Sequence, residues 1–264
     1  MTHFFSGHYL GDRNHEREGA ENQERAPDDR HAHRREVHRL KDWTGEAMVT
    51  VARSKRSASP KRRILGTRVP AFFPAKGSVS ALVYGEAPGP NGADKSRIPF
   101  FGDRAGRPLY DALVEAGRCR FTKSVDGVRW DGLALREAGI KPIVTDVALS
   151  NAFAVCPTED GEHFRAPTKA ELTSAANVKR IRSELAKARR RGLHTVIVLG
   201  RHADWLLGTQ LGLREDASIT YHQITHPSPL GLMGMARRAG KGVRVSAMKE
   251  QWQRDFLHML SDGE

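Results

Sequence analysis

Three short stretches of this chain hold the residue types from which chemistry can be built. The first, Gly85-Glu86-Ala87-Pro88-Gly89-Pro90-Asn91-Gly92-Ala93-Asp94-Lys95-Ser96, carries two carboxylates in a glycine-rich setting. Its spacing Gly89-x4-Asp94-Lys95-Ser96 matches the phosphate-loop pattern G-x-x-x-x-G-K-S except at the second glycine. Asp94 would put a carboxylate where backbone amides must wrap an anion, and Arg97-Ile98-Pro99-Phe100-Phe101-Gly102 is a poor helix start. A P-loop-like nucleotide hydrolase is therefore kept only as an alternative. The second stretch is Ser150-Asn151 and the third is His226-Pro227-Ser228-Pro229-Leu230. Metal chemistry has little to draw on. Cys119 and Cys156 are the only two cysteines, too few for a four-cysteine zinc or iron–sulfur site or for a disulfide framework. His31, His33 and His38 lie close together, but nothing in their surroundings fixes a ligand geometry.

Each stretch follows a segment that reads as a strand. Residues 80–84 (SALVY) end at Gly85, residues 143–149 (IVTDVAL) lead to Ser150-Asn151, and residues 219–224 lead to His226. Residues 195–199 (TVIVL) form the clearest strand and end at Gly200. Helices are expected over 106–116, over a long segment from Thr168 to 190 with Glu171 at the capping-box position, and from 201 to 207. Strands alternating with helices predict an α/β fold, a three-layer α/β/α sandwich around a mostly parallel sheet. In such folds ligands bind beyond the carboxyl ends of the strands, where all three stretches fall.

Taken together, Gly85-Glu86-Ala87-Pro88-Gly89, Pro99-Phe100-Phe101-Gly102, Ala105-Gly106, Ser150-Asn151, Pro167-Thr168, Val198-Leu199-Gly200 and His226-Pro227-Ser228-Pro229-Leu230 resemble the uracil-DNA glycosylase superfamily in content and order. The first block looks like the family-4 enzymes and the last like the family-1 H-P-S-P-L motif. The resemblance runs from about residue 80 to 230.

The resemblance implies a DNA glycosylase that hydrolyses the N-glycosidic bond of uracil or a related deaminated base in base-excision repair. Its partner would be DNA containing such a base, and the chain a monomer. By the same resemblance Gly85 and Ala87 border the base, Phe100 offers a ring to stack on it, and Asn151 reads its edge, since an amide pairs with both O4 and N3–H of uracil. Catalytic roles fall to Glu86, or next to it Asp94, which would orient water or stabilise the cationic sugar, and to His226. A donor there would stabilise the negative charge that develops on the departing base. Leu230 would wedge into the duplex, and Ser228 would hold phosphate.

Departures from the family shape further expectations. Family-1 enzymes have an aspartate where this chain has Ala87, and family-4 enzymes hold an iron–sulfur cluster that two cysteines cannot ligate, so no cofactor or metal is expected. One branch of the superfamily is trapped covalently through a histidine in a basic insertion. His163 lies one residue from that slot, among Glu159, Asp160 and Glu162. A protein of this fold that binds DNA without turnover, or traps it covalently, is the competing reading. The glycine-rich basic segment 231–244, with Arg237 and Arg238, suits a loop lying on the DNA backbone.

The 264-residue composition agrees with a polyanionic partner: 43 Lys and Arg against 31 Asp and Glu give a net charge of +12. Residues 1–70 carry +5 of it and hold half of the 12 histidines with few periodic apolar positions. Residues 1–76 are read as a basic, His-rich, disordered tail with a basic cluster at 54–63, and residues 77–264 as the catalytic domain. No run of 18 apolar residues suggests a membrane span, and the N-terminus has no secretory pattern. The expected location is the cytoplasm, with the nucleoid, in a bacterium, or the nucleus in a eukaryote.

Overall fold

The computed structural model describes residues 64–262. His31, His33, His38 and most of the proposed tail, including the basic cluster at 54–63, lie outside the described residues. The described chain runs β1 (Ile64–Arg68), β2 (Val79–Gly85), α1 (Ala93–Ser96), α2 (Gly106–Glu115), β3 (Cys119–Phe121), α3 (Gly132–Glu137), β4 (Pro142–Val144), β5 (Asp146–Asn151) and β6 (Val155–Thr158). It continues through α4 (Lys169–Leu172), α5 (Ala175–Arg189), β7 (Thr195–Leu199), α6 (Arg201–Asp204) with a π-helical turn at Trp205–Gln210, β8 (Thr220–Ile224), α7 (Pro229–Ala239) and α8 (Val245–Ser261).

A parallel sheet in the order β5-β2-β7-β8 is the centre of the fold. Its central strands are apolar without alternation because both faces are covered, as β7, buried at every position, makes plain. Successive side chains point to opposite faces. Ala81, Val83, Val147, Leu149, Ile197 and Leu199 therefore join one core with α2 and α8, and Leu82, Tyr84, Ala148, Val196 and Val198 join another with α5 and the π-turn. This is the expected α/β arrangement. Strand ends are in step: Gly85 pairs with Asn151, Tyr84 with Val198 and Leu199 with Ile224.

Several expectations are corrected. The run 143–149 is not one strand: Asp146 takes a left-handed backbone (φ 50°), so β4 turns away to pair antiparallel with β3 while β5 enters the central sheet. The helix from Thr168 begins with the expected capping box, but it breaks at Thr173-Ser174, and Asn177 Nδ2 donates to the freed Leu172 carbonyl at 2.8 Å. The segment 231–244 is no loop over most of its length. Ser228 caps and Pro229 opens α7, and Leu232 and Ala236 bury one face, so Gly231 and Gly234 sit inside a helix and only Gly240 and Gly242 follow its end. Helix α8 was not expected, although Trp252, Phe256 and Leu260 recur at helical spacing and form its buried face. Finally, residues 64–73, placed in the tail by composition, contain β1, which pairs antiparallel with β6, and Phe72, which bridges to Leu149. Among the described residues no helix is long and apolar enough to cross a membrane.

Candidate active site

Gly85, the last residue of β2, forms a floor by lacking a side chain. A Cβ built there would lie 2.4 Å from Phe100 Cε1 and 2.9 Å from Asn151 Oδ1, so the ring edge and the amide meet over its Cα. Phe100 reaches this place through a left-handed backbone (φ 64°), an uncommon conformation for a bulky residue that the surrounding loop must hold. The Phe100 carbonyl accepts from Asp103 N at 3.0 Å. Phe101, the other aromatic of the pair, packs instead among Tyr110, Phe121 and Trp130. Asn151 is 3% exposed, and its Nδ2 has no hydrogen-bond partner. A buried donor left unpaired costs about 1–3 kcal/mol, which a ligand acceptor would recover.

The loop after β2 is laced to the loop after β5. Ala152 N donates to Gly85 O at 2.8 Å and Phe153 N to Glu86 O at 2.9 Å, continuing the ladder past the strands. Glu86 holds a shielded carboxylate whose Oε1 lies 2.9 Å from His202 Nδ1, on α6. Ala87 is half-buried against the α5-side core. Asp94 is not brought to this group: it accepts from Thr67 N at 3.2 Å, lies 3.5 Å from Lys95 Nζ, and so braces β1.

Asp103, which sequence reasoning passed over, takes a more central place. Its carboxylate accepts from Gly89 N at 3.3 Å and Ala93 N at 3.1 Å, and burial pushes its pKa up to about 6. This overturns the phosphate-loop alternative. Two amides that would cradle an anion already hold the protein's own carboxylate, and α1 is a single turn. The only sequence signal was an acidic residue directly after Phe100-Phe101-Gly102.

His226 enters from the end of β8. Gly200 N donates to Ile224 O at 2.9 Å, joining the ends of β7 and β8, and Trp252 Nε1 of α8 donates to Thr225 O at 2.7 Å. A Cβ on Gly231 would lie 2.0 Å from His226 O, so only glycine lets α7 start against that carbonyl. His226 is half-buried, and desolvation of its ring lowers its pKa to about 4. It is thus a neutral imidazole at neutral pH and can donate a hydrogen bond without carrying charge. Ser228 Oγ accepts from Gly231 N at 3.2 Å as the α7 cap. Leu230, 80% exposed, begins an outward stripe on α7 that continues through Met233 and Arg237, with Arg238 also exposed.

The remaining sequence candidates sit elsewhere. His163 is exposed and paired with Asp160 at 2.5 Å, which raises its pKa. Cys119 and Cys156 are buried thiols, each pushed up to about 12 by desolvation. Among the described residues no three His, Cys, Asp or Glu side chains are grouped to hold a metal ion.

A family model for the uracil DNA glycosylase superfamily matches residues 72–251. A curated type-5 uracil-DNA glycosylase of Thermus thermophilus is 30% identical over 150 residues, covering 57% of this chain and 59% of that protein. The chain thus spans less than two thirds of that relative's length. Two solved structures are similar at low identity: wild-type Pedobacter heparinus SMUG2, at 12% identity and a TM-score of 0.42 over 69% of this chain and 76% of that one, and a Methanosarcina acetivorans protein determined by solution NMR, at 14% and 0.37 over 74% and 99%.

Proposed function

The chain belongs to the uracil DNA glycosylase superfamily, and we propose that it is a monofunctional DNA glycosylase that hydrolyses the N-glycosidic bond of uracil or a related deaminated base. The reading is carried by one observation above the rest: the unpartnered, buried Nδ2 of Asn151 beside the Phe100 ring, over the bare Cα of Gly85. A flipped base leaves its stack at a cost of a few kcal/mol, and contacts of this kind offset it. Uracil presents an acceptor at O4 and a donor at N3–H, which match the amide's Nδ2 and Oδ1. Cytosine presents a donor and an acceptor in the reverse order.

Cleavage of the C–N bond leaves negative charge on the base and positive charge on the sugar. His226, neutral at working pH, donates to the base O2 as that charge develops, so its bond strengthens in the transition state. Glu86 supplies the carboxylate that orients water toward the cationic sugar; its buried Oε1 makes no hydrogen bond, and His202 Nδ1 lies 2.9 Å from it. The C1′–N bond breaks with its electron pair on the base, water adds to C1′ and gives its proton to the Glu86 carboxylate and on to solvent, and the base anion takes up a proton from solvent, leaving the free base and an abasic site. Asp94 has no part in this scheme because its carboxylate serves β1. Leu230 fills the vacated stack and Arg237 and Arg238 meet phosphates, while the Ser228 hydroxyl, accepting as a cap, still has its proton to donate to one. The catalytic unit is proposed to lie within residues 77–264.

The test is a gel assay on oligonucleotides containing uracil, hypoxanthine or xanthine, treated with alkali to cleave abasic sites. Strand scission at the modified base is the expected outcome. No scission with any of the three, despite DNA binding, would leave a protein that binds DNA without turnover.

A further inference from the structure

Beneath the candidate site lies a buried polar network that the mechanism does not use. Arg180 and Glu184, one turn apart on α5, are both buried and form an ion pair at 2.7 Å. The Arg180 guanidinium also donates to Asn151 O at 2.9 Å, to Ala152 O at 3.0 Å and to Asn177 Oδ1 at 2.9 Å. Glu184 Oε2 accepts from Ser150 Oγ at 2.8 Å and from Tyr84 Oη at 3.1 Å. Asn177 Nδ2 adds a second donor to Ala152 O at 2.8 Å.

The distribution of these partners is informative. All lie on residues 150–152, on Tyr84, or on α5 itself, so the pair grips both strand ends just where Gly85 and Asn151 form the floor. Fold stability does not call for such a pair, because apolar replacement of a buried ion pair is often neutral or stabilising. What the planar guanidinium supplies is direction: while Nη1 is held by Glu184, Nη2 donates to the two consecutive carbonyls of Asn151 and Ala152. We propose that Arg180, neutralised by Glu184, is a positioning residue that holds the Asn151 backbone so that its amide presents a fixed edge to the base. This rests on the glycosylase reading given above.

The experiment compares wild type with Arg180→Lys and with Arg180→Met/Glu184→Leu, which removes both charges and so leaves no unpaired ion. Three quantities are read: hydrogen exchange at the Ala152 and Phe153 amides, the single-turnover rate of uracil release, and affinity for a duplex with a tetrahydrofuran abasic analogue, which has no base to read. Faster exchange at both amides is expected in the double variant, with a rate lower by about 10²-fold, the scale of a 1 Å misplacement, and unchanged affinity for the abasic duplex. Arg180→Lys should fall between the two. Unaltered exchange overturns the proposal whatever the activity, as does altered exchange with an unaltered rate. An equal loss of abasic-duplex affinity would mark a general structural role and overturn it as well. Failure of the wild type to release any base sinks the glycosylase reading alone, since the exchange measurement needs no turnover.

Discussion

Gly85 and Asn151 face each other as the last rung of the β2–β5 ladder, and the space that Gly85 leaves by having no side chain is bounded by the Asn151 amide and the Phe100 ring. The pairing sets the amide over the floor, and the missing Cβ makes the floor flat.

Gly85→Ala should therefore displace the Phe100 ring or the Asn151 amide, because the added methyl would sit 2.4 Å from Phe100 Cε1. Overpacking of this kind costs about 1–3 kcal/mol, readable by urea denaturation, and uracil release should be lost more completely than stability. Full activity in this variant would remove Gly85 from the site.

His226→Ala should lower the single-turnover rate by about 10²-fold or more, as loss of a charge-stabilising donor does. Burial holds its pKa at about 4, so the imidazole stays neutral throughout the range above that pH. A change in rate on acidification that disappears in His226→Ala should accordingly begin only as pH approaches 4. The same shift makes the unfolded chain the better proton binder between about 4 and 6.5, so His226 weakens the fold as pH falls through that window.

Asn151→Asp replaces the donor with a carboxylate that, ionised, can only accept. Release of uracil should fall and cytosine should gain relative to it in a competition assay. An unchanged preference would show that another group reads the base.

Leu230→Ala should leave stability within about 0.5 kcal/mol, since the side chain is 80% exposed. Activity on duplex DNA should drop while activity on single strands, which need no wedge, is kept. Equal losses on both substrates would argue against a wedge.

Asp103 gives an opposite pH signature to His226. Its pKa rises from 3.8 to about 6 on folding, so the folded chain binds the extra proton between those values. Its contribution therefore falls as pH rises through the window, by at most about 3 kcal/mol. The unfolding free energy of wild type minus that of Asp103→Asn, followed from pH 4 to 7, should fall as pH rises through that window. Parallel curves would mean that Asp103 is ionised throughout.

Much of the site could be read from the chain because its residues follow strand ends, and strand ends are local signals. Apolar runs closing on Gly85, Asn151 and Gly200 announce where loops must start, and the order of the motifs carried the family. Asp103, His202 and Trp252 were missed for a shared reason. Each acts on a residue distant in sequence, through a contact that leaves no local pattern: Asp103 on Gly89, His202 on Glu86, Trp252 on Thr225. Arg180 and Glu184 read as ordinary polar positions of a basic helix, and only burial against Ser150 and Asn151 gives them a role. Segment 231–244 misled for the opposite reason. Its glycines argue for a loop, yet burial of Leu232 and Ala236 outweighs propensity and makes a helix.

The amino-acid sequence by itself determined the alternation of strands and helices, the family, and the identity of the residues at each strand end, because hydrophobic period and motif order are written along the chain. Tertiary structure decided that the Glu86 carboxylate meets His202 while that of Asp94 braces β1, which phenylalanine meets Asn151 over Gly85, and that desolvation lowers the His226 pKa. Those outcomes depend on distances and desolvation, which exist only once separate segments have packed together.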